Sequence, residues 1–117
     1  MGVLVVKTKL NKMKKPIFNA YADAIAKQFD FSLKDMFKKK NKGQFVDARQ
    51  MLYYLCKERP MRLSYIQQFL AESGYRIGHS TILSGYQRAK KLVDTDPDFK
   101  KAIIEIQKAI PKPKNND

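Results

Sequence analysis

Hydrophobic residues recur at intervals of three and four along most of the chain, which is the spacing of one face of an α-helix. Beyond a short extended piece expected at Val3–Val6, no stretch shows the alternating pattern of a strand. The pattern therefore predicts an all-α fold. The predicted main helices cover residues 17–29, 45–59, 64–73, 81–93 and 97–110.

Residues that start and stop helices lie at the ends of these segments. Ser32-Leu33-Lys34-Asp35 and Ser64-Tyr65-Ile66-Gln67 both have the form of a capping box, in which a hydroxyl caps the first turn. The first box predicts a short helix through Phe37. The other signals are Pro16 in the first turn of a helix, Gly74 as a left-handed stop, and Asp96 before the last helix.

Segments 64–73 and 81–93 are two short helices joined by a Gly-containing link, which is the layout of a helix-turn-helix unit. In that unit the second helix lies in the major groove of DNA, and its first turn meets base edges. The alternative is an ordinary amphipathic helix with a solvated outer face. The side expected to pack carries Ile82, Tyr86, Ala89 and Val93. The outer side carries Ser80, Thr81, Ser84, Gln87, Arg88 and Lys91.

The charge of the chain indicates a polyanionic partner. Lys and Arg number 24 against 11 Asp and Glu, for a formal net charge of +13, whereas solubility alone requires a magnitude of roughly 2–8. Nucleic acid is the first candidate. With 117 residues there is room for one domain. We expect a basic arm over residues 1–15, a helical DNA-binding domain over 16–110, and a polar tail over 111–117.

The sequence offers little for catalysis or metal binding. One His and one Cys cannot form a zinc cluster, and no G-x-x-x-x-G-K-[ST] loop is present for ATP. Asp94, Asp96 and Asp98 lack the Gly and Glu of a calcium loop. We therefore expect no enzyme, no cofactor and no metal. Cys56, in an apolar run, is expected to be a buried thiol in a reducing cytoplasm, and no stretch approaches the ~18 apolar residues of a membrane span.

Five short sequences occur together in the order and approximate spacing of a known domain. They are Leu33–Phe37, the basic loop Lys38–Gly43, Asp47–Met51, Leu63–Ile66 and His79–Ile82. Together they resemble the C-terminal DNA-binding domain (domain IV) of bacterial replication initiators of the DnaA type, over about residues 17–95. The resemblance implies a compact helical domain with an extended helix-turn-helix and a preceding basic loop, which binds duplex DNA.

The resemblance also implies which residues contact DNA. In the family, the basic loop reaches a neighbouring minor groove, an Arg-Gln pair at the start of the central helix supports backbone contact, and the second helix of the unit meets the major groove. The candidate contacts are Lys39, Lys40, Lys42, Arg49, Gln50, Ser64, Arg76, His79, Ser80, Thr81, Ser84, Gln87, Arg88 and Lys91.

The chain departs from the family where sequence recognition is concerned. Gly78 stands where the family has an acid before the histidine, and the turn over 71–78 is longer. The loop carries lysines where the family favours arginine, and lysine cannot form the bidentate pair with guanine. The recognition sequence of the family is therefore not transferred to this chain.

The expected function is that of a double-stranded DNA-binding protein, as an accessory replication or regulatory factor associated with the nucleoid of a bacterial cell, or of phage origin. One alternative is a charge-driven binder of DNA or RNA. The other is a protein-interaction module that uses the last helix, where Ile103, Ile106 and Ile110 form a stripe. No protein partner is identified, and no membrane contact is expected.

Overall fold

The computed structural model describes residues 2–38 and 42–111, with side chains from residue 13 onward. Within these residues there are six helices and no strand, so the predicted all-α fold is confirmed. The helices are α1 (Gly2–Phe29), α2 (Leu33–Met36), α3 (Gly43–Glu58), α4 (Leu63–Glu72), α5 (His79–Thr95) and α6 (Pro97–Ala109).

Three of the predicted helix signals are confirmed. The Ser32 hydroxyl accepts a hydrogen bond from the Asp35 main-chain N–H at 3.1 Å and so caps α2. The Asp96 carboxylate accepts from the N–H groups of Asp98 and Phe99, which starts α6. Gly74 follows the end of α4 with a φ of 92°, a left-handed conformation that residues with a Cβ rarely adopt.

The prediction that Ser64 caps the start of the next helix is wrong. Helix α4 begins at Leu63 after Arg62, which provides no side-chain cap, so Ser64 lies inside the first turn. This earlier start lets the half-buried Leu63 pack against the core. The Gln67 side chain instead donates to the carbonyl of Ile77 at 3.0 Å and ties α4 to the connection that leads into α5.

The predicted start of the first helix is also wrong, because α1 begins at Gly2 and contains Pro16. Val3–Val6 is accordingly helical, not extended. Proline is costly inside a helix because it removes one hydrogen bond, but α1 is also held by core packing, since Phe18, two residues after Pro16, is only 1% exposed. The Lys15 ammonium pairs with Glu72 on α4 and lies 5.3 Å from the centre of the Phe69 ring. That residues 1–15 act as a separate arm stays a prediction.

Helix α3 is the centre of the molecule and packs against every other helix. Helices α1 and α4, which both contact α3, also meet each other, with the rings of Phe18 and Phe69 5.4 Å apart. Cys56 is buried as expected, and this burial raises the pKa of its thiol. The stripe on α6 also belongs to the core, since Ile103 and Ile106 are each only 2% exposed.

Helix α5 packs tightly against α3 at Gly85. A Cβ at this position would lie 2.7 Å and 2.9 Å from two carbons of the Tyr53 ring. Tyr53 is itself only 3% exposed and has little room to move. The absence of a side chain at Gly85 therefore sets how closely the second helix of the predicted helix-turn-helix lies against the core.

Gly85→Ala should destabilise the protein by about 1–3 kcal/mol, because the added methyl overpacks a tight contact. At an unhindered helical site, the same change stabilises by roughly 0.5–1 kcal/mol. Gly43→Ala is the matched control, since nothing lies within 4 Å of a Cβ there. Urea unfolding of both variants measures the difference. A Gly85→Ala protein at least as stable as the original would contradict the tight contact.

Candidate nucleic-acid interface

The start of α5 is open to solvent and has no cap. Gly78 is the N-cap residue, no described side chain caps the helix, and the first turn contains no acid. His79, Ser80 and Thr81 are all exposed. The first main-chain N–H groups of a helix have no partner within it and carry a partial positive charge. This end of α5 can therefore accept an anionic or acceptor-rich group.

Two neighbouring helices begin in a similar way. The N-cap residues of α3 and α4 are Lys42 and Arg62, and neither forms a side-chain cap within the described residues. Helices α2 and α6, in contrast, are capped by Ser32 and Asp96 and have an acid in the first turn. The starts of α3, α4 and α5 therefore keep the partial positive charge of their N–H groups, with a cation at the N-cap of α3 and of α4, while the starts of α2 and α6 carry a cap and an acid.

The two predicted faces of α5 are confirmed. Ile82 and Ala89 are fully buried, and Tyr86 and Val93 are half-buried against the core. The residues predicted on the outer side are all exposed: Ser80, Thr81, Ser84, Gln87, Arg88 and Lys91. That they contact DNA stays a prediction.

Arg88 does not extend freely from this outer face. Its guanidinium donates to the Asp47 carboxylate at 2.8 Å and to the side-chain oxygen of Gln50, both on α3. The structure thus joins Gln50 and Arg88, which the sequence suggests as separate DNA contacts. A solvent-exposed pair of this kind contributes only about 0–1 kcal/mol, so a phosphate can compete for the guanidinium.

Arg49 lies inside the protein, with only 4% of its surface exposed. Its guanidinium donates to the carbonyls of Met36 at 2.8 Å and Lys38 at 3.1 Å. Its central carbon lies 4.6 Å from the centre of the Tyr75 ring. In the arrangement observed, Arg49 is therefore too enclosed for a phosphate contact.

The remaining candidate residues lie at the surface or outside the described part of the chain. Lys42 and Arg76 are exposed, and so is Ser64 in the first turn of α4. Lys39 and Lys40 lie outside the described residues.

The structure also brings together three cations that sequence reasoning missed. Lys14 from α1, Lys57 from α3 and Arg62 before α4 line one open pocket, whose remaining lining is Pro60, Met61 and Tyr65. The sequence pattern places Lys14 in the basic arm, and the periodicity of the helix that contains Lys57 indicates only its core-facing side. The basic run around Pro60, from Lys57 to Arg62, is the signal that could have indicated it. Cations converging from three elements can hold a phosphate.

Tyr86 connects this pocket to α5. The ammonium groups of Lys57 and Lys90 lie 5.7 Å and 5.4 Å from the centre of its ring. Its hydroxyl donates to the Glu58 carboxylate at 2.7 Å. This hydrogen bond, with burial and the negative charge of Glu58, raises the pKa of Tyr86 to about 12.

Among the side chains described, no group of three or more His, Cys, Asp or Glu could hold a metal ion. None of the described helices has the length and apolarity needed to cross a bilayer.

Comparison with known proteins points to one kind of relative. The chain is 34% identical over 88 residues to the chromosomal replication initiator protein DnaA of Levilactobacillus brevis, a match covering 73% of the chain and 18% of that protein. It is 26% identical over 108 residues to DnaA of onion yellows phytoplasma, covering 92% of the chain and 20% of that protein. The chain is similar to a segment of DnaA.

The similarity to DnaA concerns one part of those proteins, because the matches span about a fifth of the length of these curated relatives. The chain matches no protein-family model. The resemblance to DnaA drawn from short motifs is therefore confirmed as a similarity to a DnaA segment.

The raised pKa of Tyr86 can be tested by titration. Because the pKa is raised in the folded state, the stability that depends on the neutral hydroxyl is present below pH 10 and lost as the pH rises from 10 towards 12. Tyr86→Phe should remove one phenol that ionises near pH 12, and Glu58→Gln should move that ionisation towards 10. Ultraviolet titration of the phenolates measures both changes. An unchanged curve for Glu58→Gln would rule out the carboxylate as the cause.

Proposed function

We propose that this chain binds double-stranded DNA and corresponds to the C-terminal DNA-binding domain of DnaA. In this proposal α4 and α5 form the helix-turn-helix, and the start of α5 enters the major groove. The observation that carries the proposal is the exposed, uncapped start of α5 at His79, Ser80 and Thr81. The net charge of +13 and the similarity to part of DnaA support it.

Each part of the surface then has a distinct task. Hydroxyls and the imidazole in the first turn of α5 face base edges, where short side chains reach donors, acceptors and the thymine methyl group. Lys91 and Arg76 lie outside that turn and meet phosphates. The pocket around Lys57 and Arg62 holds a further phosphate. Contacts to phosphates position the protein on the duplex, and contacts to bases specify the sequence.

The proposal assigns binding, and no catalytic step, to His79. This residue is exposed in the first turn of α5, where an imidazole can donate to or accept from a base or a phosphate. A chromosomal site of action follows from a duplex DNA partner. An accessory or regulatory part in replication is the biological role we propose, because both relatives are named as replication initiators.

A second candidate function is charge-driven binding to DNA or RNA without sequence preference. Gly78 favours it, because a residue without a side chain precedes α5 at the position where the DnaA type has an acid. The exposed lysines Lys38 and Lys42 at the two ends of the basic loop favour it as well, since lysine contacts a phosphate as a point charge. Sequence selection separates the two functions.

Selection from random duplexes by the purified protein, at about 150 mM salt, should enrich a short motif, because this salt weakens non-specific binding. Thr81→Ala should then lower discrimination between the enriched duplex and a scrambled one by about tenfold, near 1.4 kcal/mol. Lys91→Ala is the matched control and should weaken binding to both duplexes equally. Absence of any enriched motif would favour the charge-driven function.

The phosphate pocket predicts a change in salt dependence. Lys57→Ala and Arg62→Ala should each lower the slope of log affinity against log salt by about 0.9, the value for one lost phosphate contact. Lys101→Ala, an exposed change on α6 outside the pocket, should leave the slope as it is. Fluorescence anisotropy with a labelled duplex measures the slopes. Equal slopes for all three variants and the original would remove the pocket from the interface.

A further inference from the structure

Tyr86 contacts two lysines that come from different helices. The ammonium group of Lys57 on α3 lies 5.7 Å from the centre of its ring, and that of Lys90 on α5 lies 5.4 Å from the same point. An aromatic ring attracts a cation within about 6 Å of its centre, because the face of the ring is electron-rich. One ring therefore holds two positive charges near each other, although the two ammonium groups repel.

The ring of Tyr86 is itself held at two places. Its hydroxyl donates a hydrogen bond to the Glu58 carboxylate at 2.7 Å, and its centre lies 6.0 Å from that of the Tyr54 ring. The bond to Glu58, together with burial, raises the pKa of Tyr86 to about 12, so the hydroxyl stays protonated near neutral pH. The carboxylate is therefore engaged at the hydroxyl end of the ring, whereas the two ammonium groups lie nearer its centre.

Both ammonium groups keep their N–H donors available for a further partner. Within the described residues, neither Lys57 nor Lys90 forms an ion pair, and each lies against the Tyr86 ring. A contact with a ring face needs no acceptor atom, and an ammonium group carries three donors. Arg88 differs, because the Asp47 carboxylate accepts from its guanidinium at 2.8 Å. The two lysines can thus bind a phosphate without giving up a carboxylate.

The pair of lysines links two parts of the surface. Lys57 also lines the open pocket that contains Lys14 and Arg62, and Lys90 is exposed on α5, one turn after Tyr86. Positive charge therefore continues from the pocket, across the Tyr86 ring, to α5. Successive phosphates of one DNA strand are about 3.4 Å apart along the helix axis, so neighbouring cations in such a row can contact phosphates of the same strand.

We propose that Lys57 and Lys90, held together by the ring of Tyr86, bind phosphates of a single DNA strand and so join the pocket to α5. Lys90 is then a phosphate contact that is absent from the contacts suggested by the sequence. Tyr86 is a positioning residue, which acts through the two lysines without itself touching DNA. This inference rests on the proposed binding of duplex DNA and adds a contact surface beyond the first turn of α5.

Two exchanges of Tyr86 separate the ring from the hydroxyl. Tyr86→Phe and Tyr86→Leu both lose the bond to Glu58, but only Tyr86→Leu loses the ring. In the salt dependence of duplex binding, Tyr86→Leu should lower the slope by about 0.9 to 1.8, because one or both lysines leave their phosphates. Tyr86→Phe should keep the original slope. Equal slopes for these two variants would overturn the positioning by the ring.

The lysines are tested in the same assay. Lys90→Ala should lower the slope by about 0.9, whereas Lys101→Ala, an exposed change on α6, should leave it as it is. An unchanged slope for Lys90→Ala would remove Lys90 from the site. In a chain that carries both Lys57→Ala and Lys90→Ala, the exchange Tyr86→Leu should cause no further change in slope. A further fall there would show that the lost ring acts through general stability, and would overturn the role of Tyr86.

Nuclear magnetic resonance in the absence of DNA provides the second measurement. An aromatic ring shields protons that lie over its face, so the ε-methylene protons of Lys57 and Lys90 should resonate upfield of those of Lys101. Tyr86→Phe should retain this shift, and Tyr86→Leu should abolish it. The same resonances in both variants would overturn the arrangement. If the original chain does not bind duplex DNA at all, the proposed function fails, whereas the proton shifts still decide whether Tyr86 holds the two lysines.

Discussion

The buried guanidinium of Arg49 is the interaction on which the arrangement of the candidate interface depends. A charge inside a protein is costly unless hydrogen bonds and nearby groups compensate it. Here two main-chain carbonyls accept hydrogen bonds from the guanidinium, and the ring of Tyr75 lies against it. These partners belong to the end of α2, to Lys38 just after it, and to the α4–α5 connection. The bonding that makes the buried charge tolerable therefore also holds two surface elements in place.

The helix starts fall into two groups, those with a side-chain cap and those without one. Helices α2 and α6 have side-chain caps and acids in the first turn, so their N–H groups are satisfied within the chain. Helices α3, α4 and α5 have neither among the described residues, and their starts coincide with Lys42, Arg62 and the exposed hydroxyls of α5. Free N–H donors beside positive charge suit a polyanion, which is the property on which the proposed binding to DNA rests.

Arg88 and Gly85 show how α5 is held while its outer face stays open. Gly85 allows α5 to approach Tyr53 closely, and Arg88 links the exposed side of the helix to Asp47 and Gln50. The first contact is tight and buried, whereas the second is exposed and weak. Helix α5 is therefore fixed to the core on its inner side. On its outer side, the Arg88 guanidinium can exchange the Asp47 carboxylate for a phosphate.

The sequence by itself determined the features that depend on neighbouring residues: the helical periodicity, the caps at Ser32 and Asp96, the stop at Gly74, and the two faces of α5. Each follows from bonds or spacing within about one helical turn. Only the tertiary structure decided where Arg49 and Arg88 point, how α1 continues through Pro16, and that Lys14, Lys57 and Arg62 meet. These depend on partners distant in the chain, such as Glu72 for Lys15, and no local pattern specifies which distant groups a long charged side chain will reach.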